Sequence, residues 1–375
     1  MASTQSIFTI STTVHHPGHR GTRPPARILY TYKPTRVSTL YLSIIRNSSI
    51  TCCSSYKTRD GIVEENEVSK KTLIWRAIKL PMYSVALIPL SVGASAAYLH
   101  TGFFSVQRFF AILGSSILVV AWLNLSNDVY DFDTGADKNK RESVVNLLGS
   151  RSGTFLAATL ALLLGCGGLL FTSLAANNTR AILLLACAIL CGYVYQCPPF
   201  RFSYMGLGEP LCFAAFGPFA TTAFYFLLGS HFSGTAPPVT TAVLVSSLLV
   251  GSTTSLILFC SHFHQIEDDV AVGKLSPLVR IGTENAATAV KYSLISLYGV
   301  LMACGVLKLL PLPCVVLCGL TFPMAALVAN FVKDNHFKKE NIFMAKYYCV
   351  RLHAFFGTAL ALGLALTKHI PSFLL

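Results

Sequence analysis

The sequence predicts an all-α, multi-pass membrane protein: a bundle of nine transmembrane helices with polar, chemistry-bearing loops on one face. Three observations predict it. Of 375 residues, 53% are hydrophobic and only 12% charged, about half the charged share of a soluble domain, which excludes an ordinary soluble enzyme. Residues 210–266 contain no Asp, Glu, Lys or Arg, although one helical crossing needs only about 20 apolar residues. Finally, all sixteen Asp and Glu residues fall on one side once the crossings are counted.

The chain opens differently. Residues 1–59 hold no acidic residue, eight Lys or Arg and nineteen Ser or Thr, the composition of an organelle transit peptide. Stretches such as Ser3–Val14 are too rich in hydroxyls for the unbroken apolar core of a secretory signal. Hydroxyl residues outnumber arginines, which favours a chloroplast over a mitochondrion; a disordered basic arm is the alternative. Without this segment 21 basic residues face 16 acidic ones, so the formal charge of +13 does not argue for nucleic acid. Residues 60–78 form a short hydrophilic segment.

Apolar stretches then recur at about 82–100, 106–126, 153–175, 179–195, 209–228, 238–261, 287–307, 311–331 and 350–367. In hydrocarbon each must satisfy its backbone internally, hence helices joined by loops outside the core. By parity, the N-terminus and the ends of the even helices share a face. Past residue 80 that face carries thirteen Lys and Arg, and the other only Arg108, Arg180, Lys308 and Lys368. The positive-inside rule makes the acidic face cytosolic or, in a plastid, stromal. Most of the twelve cysteines, such as Cys187 and Cys191, lie in these apolar stretches and read as small hydrophobes rather than a disulfide scaffold.

Three polar segments on that face carry the chemistry. At the end of the second helix stands Asn127-Asp128-Val129-Tyr130-Asp131. If the helix continues, the oxygens of Asn127, Asp128 and Asp131 lie on adjoining parts of one face, a set suited to Mg²⁺ held jointly by carboxylates and substrate phosphates. Carboxylates beside an apolar helix end are costly unless they serve a ligand. The second segment, His262 to Asp269, closes the sixth helix with Gln265, Glu267, Asp268 and Asp269. Its His pair invites a zinc reading, but no Cys or further His stands at ligand spacing and the carboxylates favour a hard ion. Between them in sequence, Tyr195 to Pro210 supplies Arg201, a planar fork for phosphate oxygens. Lys79, Arg141 and Lys274 stand at matching depth and serve as further diphosphate-binding candidates or as positive-inside anchors. Tyr130, Tyr195 and Tyr204, with Phe132 and Phe200, are candidates to line a pocket whose ring faces stabilise a cation. No P-loop, nucleophile elbow or zincin motif occurs.

On Asn-Asp-x-x-Asp after helix two, the acidic motif after helix six and the nine crossings, the chain resembles the UbiA superfamily of intramembrane aromatic prenyltransferases, over roughly residues 75–368 within a domain of 79–375. The Tyr195–Pro210 loop, His262–Asp269 and Gly273–Gly282 resemble its plant and cyanobacterial naphthoate branch. The resemblance implies catalytic roles for Asp128, Asp131 and Asp269, Mg²⁺ ligation by Asn127, Asp128, Asp131 and Asp269 with Glu267 and Asp268 as further candidates, and diphosphate contacts from Lys79 and Arg201, beside which Arg141 and Lys274 stand as candidates by their depth. The wider family has Asp where this chain has Gln265, so Glu267 or Asp268 is expected to assume that role. Implied substrates are phytyl diphosphate and a naphthoid acceptor in membrane lipid, the acceptor losing its carboxyl group; no obligatory protein partner is implied. Homogentisate, 4-hydroxybenzoate or chlorophyllide are alternative acceptors. A secondary transporter is the reading from another class, disfavoured because mid-membrane positions are apolar.

Overall fold

The computed structural model describes residues 80–136, 143–230 and 237–370. The expected leader and the segment 60–78, together with Lys79 and Arg141, lie outside these residues. Every regular element among the described residues is a helix.

Among the described residues eight helices are long and apolar enough to cross a membrane, and nine units are if one bent pair counts as a single span. They are α1 (Pro81–Thr101), α2 (Val106–Thr134), α3 (Arg151–Ala175), α4 (Thr179–Gln196), α5 (Gly208–Gly229), α6 (Thr241–His264), α7 (Pro277–Val306), α8 (Leu312–Gly319 and Phe322–Asn335, bent by 42°) and α9 (Lys339–Thr367). Polar side chains start several of them. Ser105, Ser150, Asn178 and Thr240 accept backbone N–H groups at the first turns of α2, α3, α4 and α6, satisfying donors the helix leaves orphaned.

Several elements depart from the hydropathy pattern: α2 runs on to Thr134 rather than 126, and α9 begins at Lys339 rather than 350. α7 begins at Pro277 rather than 287, because its first turns carry Arg280 and Glu284, one on each side of a bend at Gly282 (φ 75°, ψ 164°), and so precede the apolar run. The single eighth crossing is broken, because Pro323 in the first turn of Phe322–Asn335 lacks the N–H that would continue the preceding helix.

α1 runs through the middle of the bundle, in contact with α2, α5, α6 and α9, while α2 and α3 form a second tight pair. Lipid offers helices no hydrophobic gain on association, so contact depends on small residues that let backbones approach. At Gly217 of α5 a Cβ would stand 2.6 Å from the Ser247 carbonyl oxygen of α6 and 2.8 Å from Gly251 Cα. α5 also contains a π-helical stretch, Ala215–Thr221, around Pro218. Thr221 Oγ1 donates to the Phe216 carbonyl at 2.8 Å, one of the groups such a register change frees. Outward faces are apolar: Leu163, Leu164, Phe171 and Leu174 of α3 are each more than 60% exposed, a surface stable only in lipid.

Candidate active site

A cavity of ≈ 320 Å³ lies between α1, α2, α4, α5, α6 and the start of α9. One end is polar, with Asn127, Asp131, Gln196, His262, Gln265, Lys274 and Lys346 on its wall; the remainder is apolar, formed by residues such as Val120, Leu185, Phe216 and Phe224. The polar groups come from the end of α2, the end of α4, the α6–α7 connection and the start of α9, so alternate helix ends meet there.

The first motif is helical rather than a loop. α2 runs on to Thr134 and stops where Gly135 takes a left-handed conformation (φ 82°). Asn127 and Asp131, four residues apart, therefore share the cavity wall, and Asn127 Nδ2 donates to Asp131 Oδ2 at 2.7 Å. Asp128 is rotated about 100° away. It is fully buried and accepts the Val144 N–H at 3.0 Å, which ties the short helix Val144–Leu148 to α2. The cavity wall does not include it, contrary to the expectation that all three oxygens adjoin.

The second motif divides in the same way. A 3-10 turn, His262–His264, leads into the short helix Ile266–Ala271. His262, Gln265 and Asp269 are spaced three and four apart and occupy one face, and Asp269 N–H donates to the Gln265 carbonyl at 2.8 Å. Glu267 and Asp268 point outward. Glu267 pairs with Lys339 at 2.5 Å and Asp268 approaches the same ammonium at 4.0 Å, with side chains 72% and 39% exposed. Neither lies on the cavity wall, where Gln265 itself stands.

Behind the polar wall runs a buried chain of ionisable groups. Lys274 Nζ lies 3.1 Å from Asp269 Oδ1, Asp269 Oδ2 lies 3.4 Å from His262 Nδ1, and His262 Nε2 lies 3.6 Å from Glu209 Oε1. Burial disfavours ionisation of Asp269, but His262 and Lys274 outweigh it and hold its carboxyl below the ordinary aspartate value. Asp269 Oδ2 and both Glu209 carboxylate oxygens have no hydrogen-bond partner.

The Tyr195–Pro210 connection joins the two motifs. Tyr204 hydroxyl bonds Thr134 Oγ1 at 2.8 Å and donates to Asp131 Oδ1 at 3.4 Å, while its carbonyl accepts Leu275 N–H at 2.8 Å. Its ring lies between the Arg201 guanidinium and the Lys274 ammonium, 5.9 and 5.8 Å from the centroid. Burial, aided by the Asp131 charge, pushes its phenol up to about 12. Tyr204 thus supports the wall from behind, as does Arg201; Tyr195 lines the cavity. Tyr130 packs with Trp122 and Cys197 in a separate cluster.

Sequence reasoning passed over Glu209, His262 and Lys346 as site residues. Glu209 did carry a signal, as the single acidic residue between Glu142 and Glu267. Lys346 had none, since a lysine before an apolar run also reads as an interfacial anchor.

The family model of UbiA prenyltransferases matches residues 86–350. The chain belongs to the UbiA prenyltransferase family. Among curated UbiA relatives, it is 63% identical over 316 residues to the chloroplastic 2-carboxy-1,4-naphthoquinone phytyltransferase of Arabidopsis thaliana, covering 84% of this chain and 83% of that protein. It is 42% identical over 287 residues to the 2-carboxy-1,4-naphthoquinone phytyltransferase of Synechocystis, covering 76% and 91%. The apo structure of a UbiA homolog from Aeropyrum pernix K1 superposes with a TM-score of 0.56 at 13% identity, covering 77% of this chain and 98% of that one; it supports the fold. As a UbiA family member the protein is a prenyltransferase.

Proposed function

We propose that this prenyltransferase attaches a phytyl chain from phytyl diphosphate to 1,4-dihydroxy-2-naphthoate or 2-carboxy-1,4-naphthoquinone, with loss of the carboxyl group, in a chloroplast membrane with the acidic loops on the stromal side. One observation carries it: a single cavity joins a polar end, fit for a diphosphate, to an apolar interior inside a lipid-embedded bundle. The ring and the tail are those named for the relatives that share 63% and 42% of their aligned residues with it.

The polar end suits Mg²⁺ shared with substrate. Among the described residues no three His, Cys, Asp or Glu side chains converge on one point, and Mg²⁺ needs only one or two carboxylates when phosphate oxygens and water complete its shell. Asp269 Oδ2 is buried without a hydrogen-bond partner, and Asp131 and Asn127 present oxygens on the α2 wall. Asp131, Asn127 and Asp269 would hold Mg²⁺, which when bound neutralises charge on the diphosphate.

The chain's own groups do the rest. Lys274 places a cation at the same end, held in direction by Asp269. Trp122 and Tyr195 offer ring faces towards an allylic cation. The apolar interior excludes water, which would otherwise capture that cation. The ring carbon bearing the carboxylate attacks; the electron pair of the C–COO⁻ bond returns to the ring as CO₂ departs, so charge and atoms balance for quinol and quinone alike. A chain of twenty carbons favours lipid by roughly 0.8 kcal/mol per CH₂, so the product belongs in the bilayer.

Membranes containing the protein, supplied with phytyl diphosphate, Mg²⁺ and a panel of acceptors, test the proposal by product mass. A phytylated, decarboxylated naphthoid product is expected; prenylation of homogentisate with none of the naphthoate would overturn it.

A further inference from the structure

The polar end of the cavity has two unlike walls. On one, Asn127 and Asp131 of α2 face inward beside Lys274, which lies 3.1 Å from Asp269. The other is the cluster of His264, Phe343, Lys346 and Tyr347, with Gln265, whose helical face also carries Asp269, next to His264. Gln265 is neutral, and the other members are aromatic or basic. Phe343 meets His264 edge-on at 5.0 Å between centroids and lies tilted against Tyr347 at 5.6 Å. The Lys346 ammonium lies 4.1 Å from the centre of the Phe343 ring and 5.3 Å from that of Tyr347.

We propose that this second wall is the acceptor subsite: Phe343 and Tyr347 pack against the bicyclic ring, and Lys346 binds its carboxylate. The subsite presupposes the naphthoid acid proposed above. Its logic is electrostatic. Two anions must enter one small cavity, and the carboxylates of the first wall suit the one that arrives with a divalent cation. The acceptor brings a bare carboxylate, which Asp131 and Asp269 repel and an ammonium attracts. A carboxylate at position 265 would spoil the second wall for that ligand, whereas the Gln265 amide offers an N–H donor. Aromatic side chains give a flat ring edge and face contacts worth more than area alone. An ammonium also keeps the acceptor ionised, the form whose C–COO⁻ electrons are available to the ring.

The test separates ring, carboxylate and diphosphate. Lys346→Met and Lys346→Arg proteins are compared with the unaltered chain in three titrations: turnover against the dihydroxynaphthoate acceptor, turnover against phytyl diphosphate, and competitive inhibition by unsubstituted naphthoquinone, whose ring lacks the carboxyl. Loss of one charge-assisted contact predicts that Lys346→Met raises the Michaelis constant for the acceptor by about ten- to hundred-fold, leaves the other two constants nearly unchanged, and is largely rescued by Lys346→Arg. Should Lys346→Met turn over too slowly to assay, equilibrium binding of the same three ligands is judged by the same criterion. A change falling on phytyl diphosphate would assign Lys346 to the diphosphate instead, and equal weakening of both rings would reduce it to packing; either overturns the proposal. If the unaltered chain does not prenylate the naphthoate at all, the function fails before the subsite is tested.

Discussion

At the scale of single residues, helical rotation decides who reaches the substrate. Neighbouring positions on a helix diverge by about 100°, so an acidic run cannot all face one way. Asn127 and Asp131 face the cavity while Asp128 turns to cap Val144, and Asp269 joins the buried charged groups behind the wall, engaging Lys274, while Glu267 pairs with Lys339 at the surface. This yields a sharp contrast. Asp269→Asn is expected to reduce turnover by about 100-fold or more, since it withdraws preorganised charge next to the departing diphosphate. Glu267→Gln is expected to keep turnover within about two-fold, because an exposed ion pair contributes about 1 kcal/mol at most. Steady-state rates of the two proteins at equal membrane content check both; comparable losses would return Glu267 to the metal set.

At the scale of elements, α5 and α6 touch at glycine, and α5 is irregular beside the contact. Phe216, in the π-helical stretch that contains Pro218, is on the cavity wall. Gly217 has no room for a side chain: a methyl would stand 2.6 Å from the Ser247 carbonyl. Gly217→Ala is expected to destabilise the bundle by about 1–3 kcal/mol through forced separation of the helices, visible as a lower midpoint of thermal unfolding in detergent. Gly114, whose Cβ would meet nothing within 4 Å, is the control, and an equal shift there would refute the packing explanation. The Tyr195–Pro210 connection acts as a third element of the site, because Tyr204 bonds the end of α2 and the segment after Asp269 together.

At the scale of the whole molecule, charge segregation orients the bundle. Val270 and Phe337 lie on the acidic face and Val306 at the other end of α7, and all three are well exposed. Single cysteines placed at these positions in a cysteine-depleted protein are expected to react with a membrane-impermeant thiol reagent in two groups: Val270→Cys and Phe337→Cys from the same side of sealed vesicles, Val306→Cys from the opposite one. Labelling of all three from one side would break the parity on which nine crossings rest.

The sequence by itself determined the solvent, the helical class, the number of crossings and the end of the bundle where chemistry gathers. These follow from local quantities: apolar length, backbone satisfaction in lipid and the cost of burying charge. It also contained both acidic motifs and the departure at Gln265. Only the tertiary structure decided which members of each motif face inward, that Glu209 and His262 extend the buried charge behind Asp269, and that Lys346, more than 70 residues beyond the second motif, shares its cavity. The physical reason is that a motif is written along one dimension, whereas a site is selected by helix rotation and by contacts between distant segments, and neither is fixed until the bundle packs.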